Sequence, residues 1–424
     1  MRKFVLFLSL GFLFLSCTED VVMQEEQNCA QSVDGLTSVR SVTEAEEIAL
    51  STAKRLLDGD FESRSSSRIV DPKQTRTIYS SHVKSRNTAT PLMYVVNFSD
   101  DEGFAIVPAN VDAPHAIVVA EVGNFDPSST EINPGFDAYM SSAERYLEQL
   151  STGGTIRPPY QPGGEKTVID TLITDSVDPQ ICVKWWQRGV FGDECSNGVA
   201  GCTNVAIAMM LTAFHQPSSI ELTYKPGSPV ISLNWSEIER HNMQFLTKKF
   251  ACKCHNPDEN HQVIAQLIRQ IGELAGSIYY PGSESNNPTT PTPVDGGIKA
   301  IRALGLKSDM FQVCYENIIS QCIERNTILF MYGEDNGRGV SHNWICDGMK
   351  ELSIRAYRYI TKDNGLTWVP DGGGATWSKI ETYNHFCWGY ENGEKDGYFL
   401  DMSFAPGGNV DYGYWTDFYR IIVP

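Results

Sequence analysis

The chain has 424 residues, enough for two or three domains and a sizeable core. Its 41% hydrophobic and 20% charged residues exclude an intrinsically disordered polymer. A net charge of −18 (34 basic against 52 acidic residues), with no basic stripe to offset it, argues against a nucleic-acid partner.

The first segment, "MRKFVLFLSLGFLFLSC", has Arg2 and Lys3 before an apolar run from Phe4 to Ser16. That run is too short for a bilayer core of roughly 30 Å but suits a signal peptide over 1–16. It ends in "FLSC", which resembles a bacterial lipobox with Phe14 in place of the usual Leu. Cleavage before Cys17 would leave Cys17 to carry lipid. Residues 17–40, opening "CTEDVVMQEEQN", form an acidic tether. The expectation is an exported bacterial lipoprotein of the outer membrane or cell surface, anchored through Cys17.

Residues 43–57 read as an amphipathic helix, with Ala45, Ile48, Ala49, Ala53, Leu56 and Leu57 at helical spacing. Thr43 is the expected N-cap, with Glu46 three residues on. A Ser-rich polar stretch follows. Strands are then expected over 91–99, 103–110 and 115–123, and a second helix over 135–150. The span 41–150 is thus one small α+β unit. Residues 151–170 are rich in Pro and Gly, the composition of a linker open to proteolysis.

Beyond 170 the texture changes to helices and then strands. Helices are expected at 203–215, 259–277 and 294–304; strands at 327–333, 341–349, 383–390 and 397–404. That order indicates an α+β class. Ten cysteines follow Cys17. Export permits disulfides, but their pairing is not readable from sequence. Cys252, Cys254 and His255 stand close together but lack the second ligand pair that a zinc site needs, so a disulfide or free thiols is expected there. No metal and no cofactor are expected.

Cys202, in "GVAGCTN", stands at the start of a helix whose apolar face carries Val205, Ala208, Met209 and Ala213. Unpaired N–H groups at a helix N-terminus favour a thiolate. A nucleophilic cysteine also needs a base. His342 lies on an expected strand 140 residues later, within the roughly 130–150 residues that separate Cys and His in papain-like enzymes. On this stretch alone, a small buried cysteine is the favoured explanation.

Five stretches together alter that balance. "GCTNVAIAMMLTAFHQP" resembles the nucleophile helix of the streptopain family of papain-like cysteine peptidases. "IAQLIRQIGELAGSIYY" is similar to its intervening helix. The strands around "SHNWICDGM" and "HFCWGYENGEKDGYFLDMSF" resemble its histidine strand and Trp-Gly strand. "PLMYVVNFSDDEGFAIVPANVDAPHAIVVAEVGNFD" resembles its inhibitory propeptide. The resemblance implies a two-lobe papain-like domain over 171–424, a propeptide over 41–150 and activation within 151–170. It implies Cys202 as nucleophile, His342 as general base and acid, Gln187 as an oxyanion-hole donor with the Cys202 backbone N–H, and Trp388 packed by the histidine. Ser341 and Gly389 would shape the cleft walls.

The implied function is a secreted, lipid-anchored cysteine endopeptidase made as a zymogen. Its substrates would be proteins or peptides, and its own propeptide would be its inhibitor. Cys387 occupies the position of the Asn that usually orients the histidine. Asn343 and Asn384 are expected to face away from it, and His385 to be a strand surface residue. Thr203 stands where the family more often has Val. The Cys387 departure leaves a second reading, an impaired relative acting as a surface binding or inhibitor-like protein. Another Cys–His acyl-transfer fold, such as an amidase, is a third.

Overall fold

A computed structural model describes residues 39–58, 68–79, 90–129, 133–152, 165–240, 259–283, 287–312, 319, 323, 327–335, 340–360, 369–370, 377–390, 393–401 and 414–422. The signal segment, Cys17, most of the tether and the Cys252–His255 cluster lie outside them, as does the linker from 153 to 164. Among the described residues no helix is long and apolar enough to cross a membrane.

The amino-terminal unit begins with α1 (Val42–Ala53). Its cap is Ser41 with Glu44, not Thr43 with Glu46: the Ser41 hydroxyl accepts the Glu44 N–H while the Glu44 carboxylate accepts the Ser41 N–H. Ala45, Ala49 and Ala53 let α1 lie close on β2 (Pro91–Asn97) and β3 (Phe104–Pro108). β1 (Arg76–Tyr79) and β4 (Val118–Ala120) flank this pair. Arg40 ties the unit together by donating to the carbonyls of Pro108, Val111, Ala113 and Pro114. α2 (Pro134–Thr152) is capped by Asn133, whose side-chain oxygen accepts the Phe136 N–H at 3.0 Å.

β5 (Glu165–Val177) begins inside the span expected as linker, because it has a long partner strand to pair with. Two short strands, β6 (Ser219–Ile220) and β7 (Ile231–Ser232), form a separate ribbon. α3 (Cys202–Phe214) is apolar on all sides and buried from Thr203 to Thr212. α4 (Glu259–Ala275) and α5 (Gly296–Ala303) enclose it. This all-round burial explains why α3 lacks the polar stripe of a surface helix.

The remaining strands are β8 (Lys307–Gln312), β9 (Ile328–Asp335), β10 (Val340–Ile360), β11 (Val369–Pro370), β12 (Trp377–Cys387), β13 (Gly397–Leu400) and β14 (Tyr414–Ile422). Twelve strands make one sheet, ordered β1-β2-β3-β4-β13-β12-β10-β9-β14-β8, with β5 and β11 also on β10. Each ladder between named strands is antiparallel. The expected α+β class and the antiparallel sheet are both observed. β10 extends eleven residues beyond its expected end at 349. Its first part pairs with β9 and its later part with β5.

The amino-terminal unit and the later domain share this sheet through β4 and β13, where Tyr398 pairs with Val119. Gly397 makes that join possible: a Cβ there would stand 2.3 Å from the Val119 carbonyl oxygen. Gly397→Ala should therefore force β4 and β13 apart. We expect it to cost more than about 1 kcal/mol, read as a lower thermal unfolding midpoint of the full chain; an unchanged midpoint would refute this.

Candidate active site

Cys202 is the first residue of α3 and is partly exposed. Gly201 before it has φ of 90°, a backbone that glycine adopts without strain, and a Cβ there would meet the Thr290 carbonyl at 3.0 Å. No side chain caps α3, so its first N–H groups are not claimed by a cap.

His342 comes from β10 and stands near enough to Cys202 to act on its thiol. Its Nε2 lies 2.9 Å from the Trp388 carbonyl oxygen. A carbonyl only accepts, so Nε2 carries the proton and Nδ1 faces the thiol as the basic nitrogen. Burial pushes the Cys202 thiol up. The hydrogen bond and charge of His342, then the backbone and side-chain hydrogen bonds of Asn343, outweigh it and bring the thiol down to about 7.

The His342 ring is nearly parallel to Trp344 at 6.4 Å and lies 6.2 Å from Trp388 and 5.5 Å from Tyr390. Trp388, buried beside it, continues into Phe386 and Phe399. The Trp388 backbone is fixed from its other side, where its N–H donates to Asp396 Oδ1 at 2.7 Å. Gly389, with φ of 71°, brings the chain against Val205 of α3. Ser341, next to His342 on β10, is exposed.

Gln187 is partly exposed, and its backbone carbonyl accepts the Ala200 N–H at 2.8 Å. That bond ties its loop to the strand-like approach into Gly201 and Cys202. Trp185 and Trp186 before it both pack on Phe191.

Two expectations about neighbouring residues, those for His385 and Asn343, are corrected. Cys387 does not take the orienting role: its sulfur faces Asp347 Oδ1 at 3.9 Å and His385 Nδ1 at 4.0 Å. The backbone carbonyl of Trp388 is what His342 Nε2 meets instead. His385 is buried, not a surface residue, with Nδ1 2.6 Å from Asp347 and Nε2 3.0 Å from Glu121. Asn343 does not face away; its Nδ2 lies 3.8 Å from Cys202 Sγ. Asn384 is buried with its Oδ1 unpartnered among the described residues.

Sequence reading missed Asp347, Glu121, Lys184 and Asp396. Asp347 falls inside the expected strand over 341–349 with no role assigned to it, and a register shift between Cys346 and Gly348 sets it in a bulge of β10. There its Oδ2 accepts the N–H groups of Gln180 and Ile181. Lys184 bridges Glu121 at 3.0 Å and Asp396 at 3.2 Å. Burial alone would raise the Glu121 carboxyl; the charges of Lys184 and His385 hold it well below the usual range. Burial would lower His385, yet Asp347 and Glu121 hold it well above.

Asp347, His385 and Cys387 offer three metal-type ligand atoms within 4.8 Å. Their donor set is already spent: Asp347 accepts two N–H groups and the His385 ring, and burial raises the Cys387 thiol to about 12. The group is a hydrogen-bonded knot. Five cysteines of the described residues, 182, 195, 202, 346 and 387, are free thiols.

The amino-terminal unit reaches this site. Gly135, in the first turn of α2, lies so close that a Cβ would stand 2.5 Å from the Trp388 ring and 2.7 Å from His342 Cδ2.

A fold with a Cys–His pair at a helix N-terminus, backed by an antiparallel sheet, defines the papain-like class of cysteine peptidases. The chain matches the family model described as the peptidase C10 family over residues 183–399, just over half its length. It belongs to that family, the streptopain family that its motifs resemble. Among solved structures it is similar to a cysteine-to-alanine fragment of Prevotella intermedia prointerpain A. That match has a TM-score of 0.50 and 15% identity, and covers 82% of this chain and 98% of that one. At such identity the likeness is one of fold. No curated protein sequence matches the chain.

The geometry around Cys387 carries a prediction. Cys387→Asn would bury a polar amide beside the Asp347–His385 pair, so it should destabilise the chain by about 1–3 kcal/mol without raising turnover. A gain in peptidase activity in this variant would mean that His342 lacks an orienting partner after all.

Proposed function

We propose that this C10 chain is a cysteine endopeptidase made as a zymogen, exported and held at the bacterial surface by lipid on Cys17. The observation that carries the reading is Cys202 at the mouth of α3, its thiol lowered against burial by a His342 whose Nε2 is fixed on the Trp388 carbonyl.

The thiolate of Cys202 attacks the scissile carbonyl carbon and the C=O π pair moves to oxygen. The first N–H groups of α3 and the Gln187 amide serve as donors to that oxyanion. His342, protonated at Nδ1 when the thiolate forms, delivers that proton to the leaving amine as the C–N bond breaks. Water then attacks the thioester: His342 takes its proton, and Cys202 leaves as thiolate. The Trp388 carbonyl accepts from Nε2–H throughout and keeps the ring in one tautomer, the task an Asn side chain serves in papain-like enzymes. With that partner present, the reading as an impaired binding protein loses the departure that favoured it.

The 41–150 unit acts as propeptide. Support comes from Gly135 lying on His342 and Trp388, and from the similarity to a proenzyme over 82% of the chain. That share is larger than the family match. Cleavage between α2 and β5 would release the peptidase from both inhibitor and lipid.

Incubating the full chain beside Cys202→Ala tests the catalytic reading. Wild type should lose its propeptide and degrade casein, while Cys202→Ala stays full length. Equal behaviour of the two would sink it. The propeptide reading has its own test in Gly135→Val, whose side chain has no room against Trp388. Overpacking of about 1–3 kcal/mol should loosen α2 and speed processing by roughly 5- to 100-fold, with mature activity unchanged because residue 135 is then gone. Processing at the wild-type rate would count against inhibition through this contact.

A further inference from the structure

Asn343 follows His342 on β10, and consecutive strand side chains leave opposite faces. Cys202 nevertheless meets both residues. The Asn343 amide is held there by a second bond: Nδ2 donates to Thr203 Oγ1 at 2.9 Å and reaches Cys202 Sγ at 3.8 Å. Thr203 is buried in the first turn of α3. Nucleophile, threonine and asparagine thus form one small constellation across the α3–β10 contact.

We propose that Asn343 is a catalytic residue: its amide, aimed by Thr203, donates to Cys202 Sγ and shares with His342 the stabilisation of the thiolate. This rests on the reading of Cys202 as nucleophile. An N–H donor favours sulfur that carries charge over sulfur that carries a proton. The titratable group facing Cys202 is His342, from the same strand; α2 presents Gly135 to that histidine. The imidazole helps the thiolate only while it is protonated, whereas an amide keeps its hydrogens at every pH. Asn343 therefore adds a donor that does not fade as His342 loses its proton. No proton moves to or from the amide in this role. When the sulfur attacks and its charge passes to the substrate oxygen, the Asn343 bond weakens, and it re-forms when Cys202 departs from the thioester. The Thr203 departure from the family's usual Val has a matching explanation: a valine could not hold the amide.

The test is the pH dependence of Cys202 alkylation by iodoacetamide in the full chain, quantified by mass spectrometry on the peptide that carries Cys202. It requires no turnover. In wild type the rate should rise with a midpoint near 7. Asn343→Ala should move that midpoint up by about one pH unit, leaving roughly fivefold less thiolate at pH 7. Thr203→Val, which keeps the amide but frees it to rotate, should move the midpoint the same way by less. A midpoint that stays put or falls in Asn343→Ala overturns the proposal. If Asn343→Ala does not fold, Thr203→Val decides on the same criterion. Wild-type Cys202 titrating like an ordinary thiol near 9 would instead defeat the nucleophile reading itself, so the two failures are distinguishable.

Discussion

The Trp388 peptide unit is held from both sides, and the site depends on that. Its N–H is pinned by Asp396 and its carbonyl accepts from His342 Nε2. Its ring packs between Trp344, Phe386 and Phe399. A backbone carbonyl cannot change rotamer, so an acceptor built this way orients the imidazole without spending side-chain entropy on an amide. It also explains why position 387 need not be Asn. With the main chain serving His342, the side chain before Trp388 is free to pack elsewhere, and Cys387 does so against the Asp347–His385 pair.

Asp396 links that peptide to the amino-terminal unit. Lys184 bridges Asp396 and Glu121, and Glu121 also meets His385. Glu121 is held below its free value of 4.5, so its contribution is complete above that pH and fades as pH falls through the depressed value. His385 is held above 6.5, so its contribution is complete below that and is lost as pH rises through the raised value. Between those limits the ionic contacts, the β4–β13 ladder and the aromatic contacts of Phe136 all bind the amino-terminal unit in the same direction. Phe136 lies edge-on to Phe399 at 6.2 Å, so α2 is anchored one residue past the glycine that touches His342.

Much of this was readable in the sequence. The small-residue approach into Cys202, the apolar helix after it, the histidine strand and the Trp-Gly strand lie where their local patterns place them, because each is defined by spacing and backbone need. The cap of α1 sits two residues before the expected one, since Ser41 and Thr43 are both followed by a Glu three residues on and the sequence pattern does not separate them. β5 was read as linker because its Pro and Gly belong to the stretch before it, while its own residues gain strand structure from a partner nearly two hundred positions away.

Residue types and their order along the chain determined the family and the α+β class and pointed to Cys202 and His342, because nucleophile helix and histidine strand each need a local signature that survives in one dimension. The partners of those residues came from tertiary structure alone. That the histidine's acceptor is the Trp388 carbonyl, that His385 is buried in a charge network and that Asn343 reaches the sulfur all depend on backbone atoms, a bulge at Asp347 and the height of a helix end against a strand. None of these leaves a mark on side-chain spacing, because each is set by how separate elements meet.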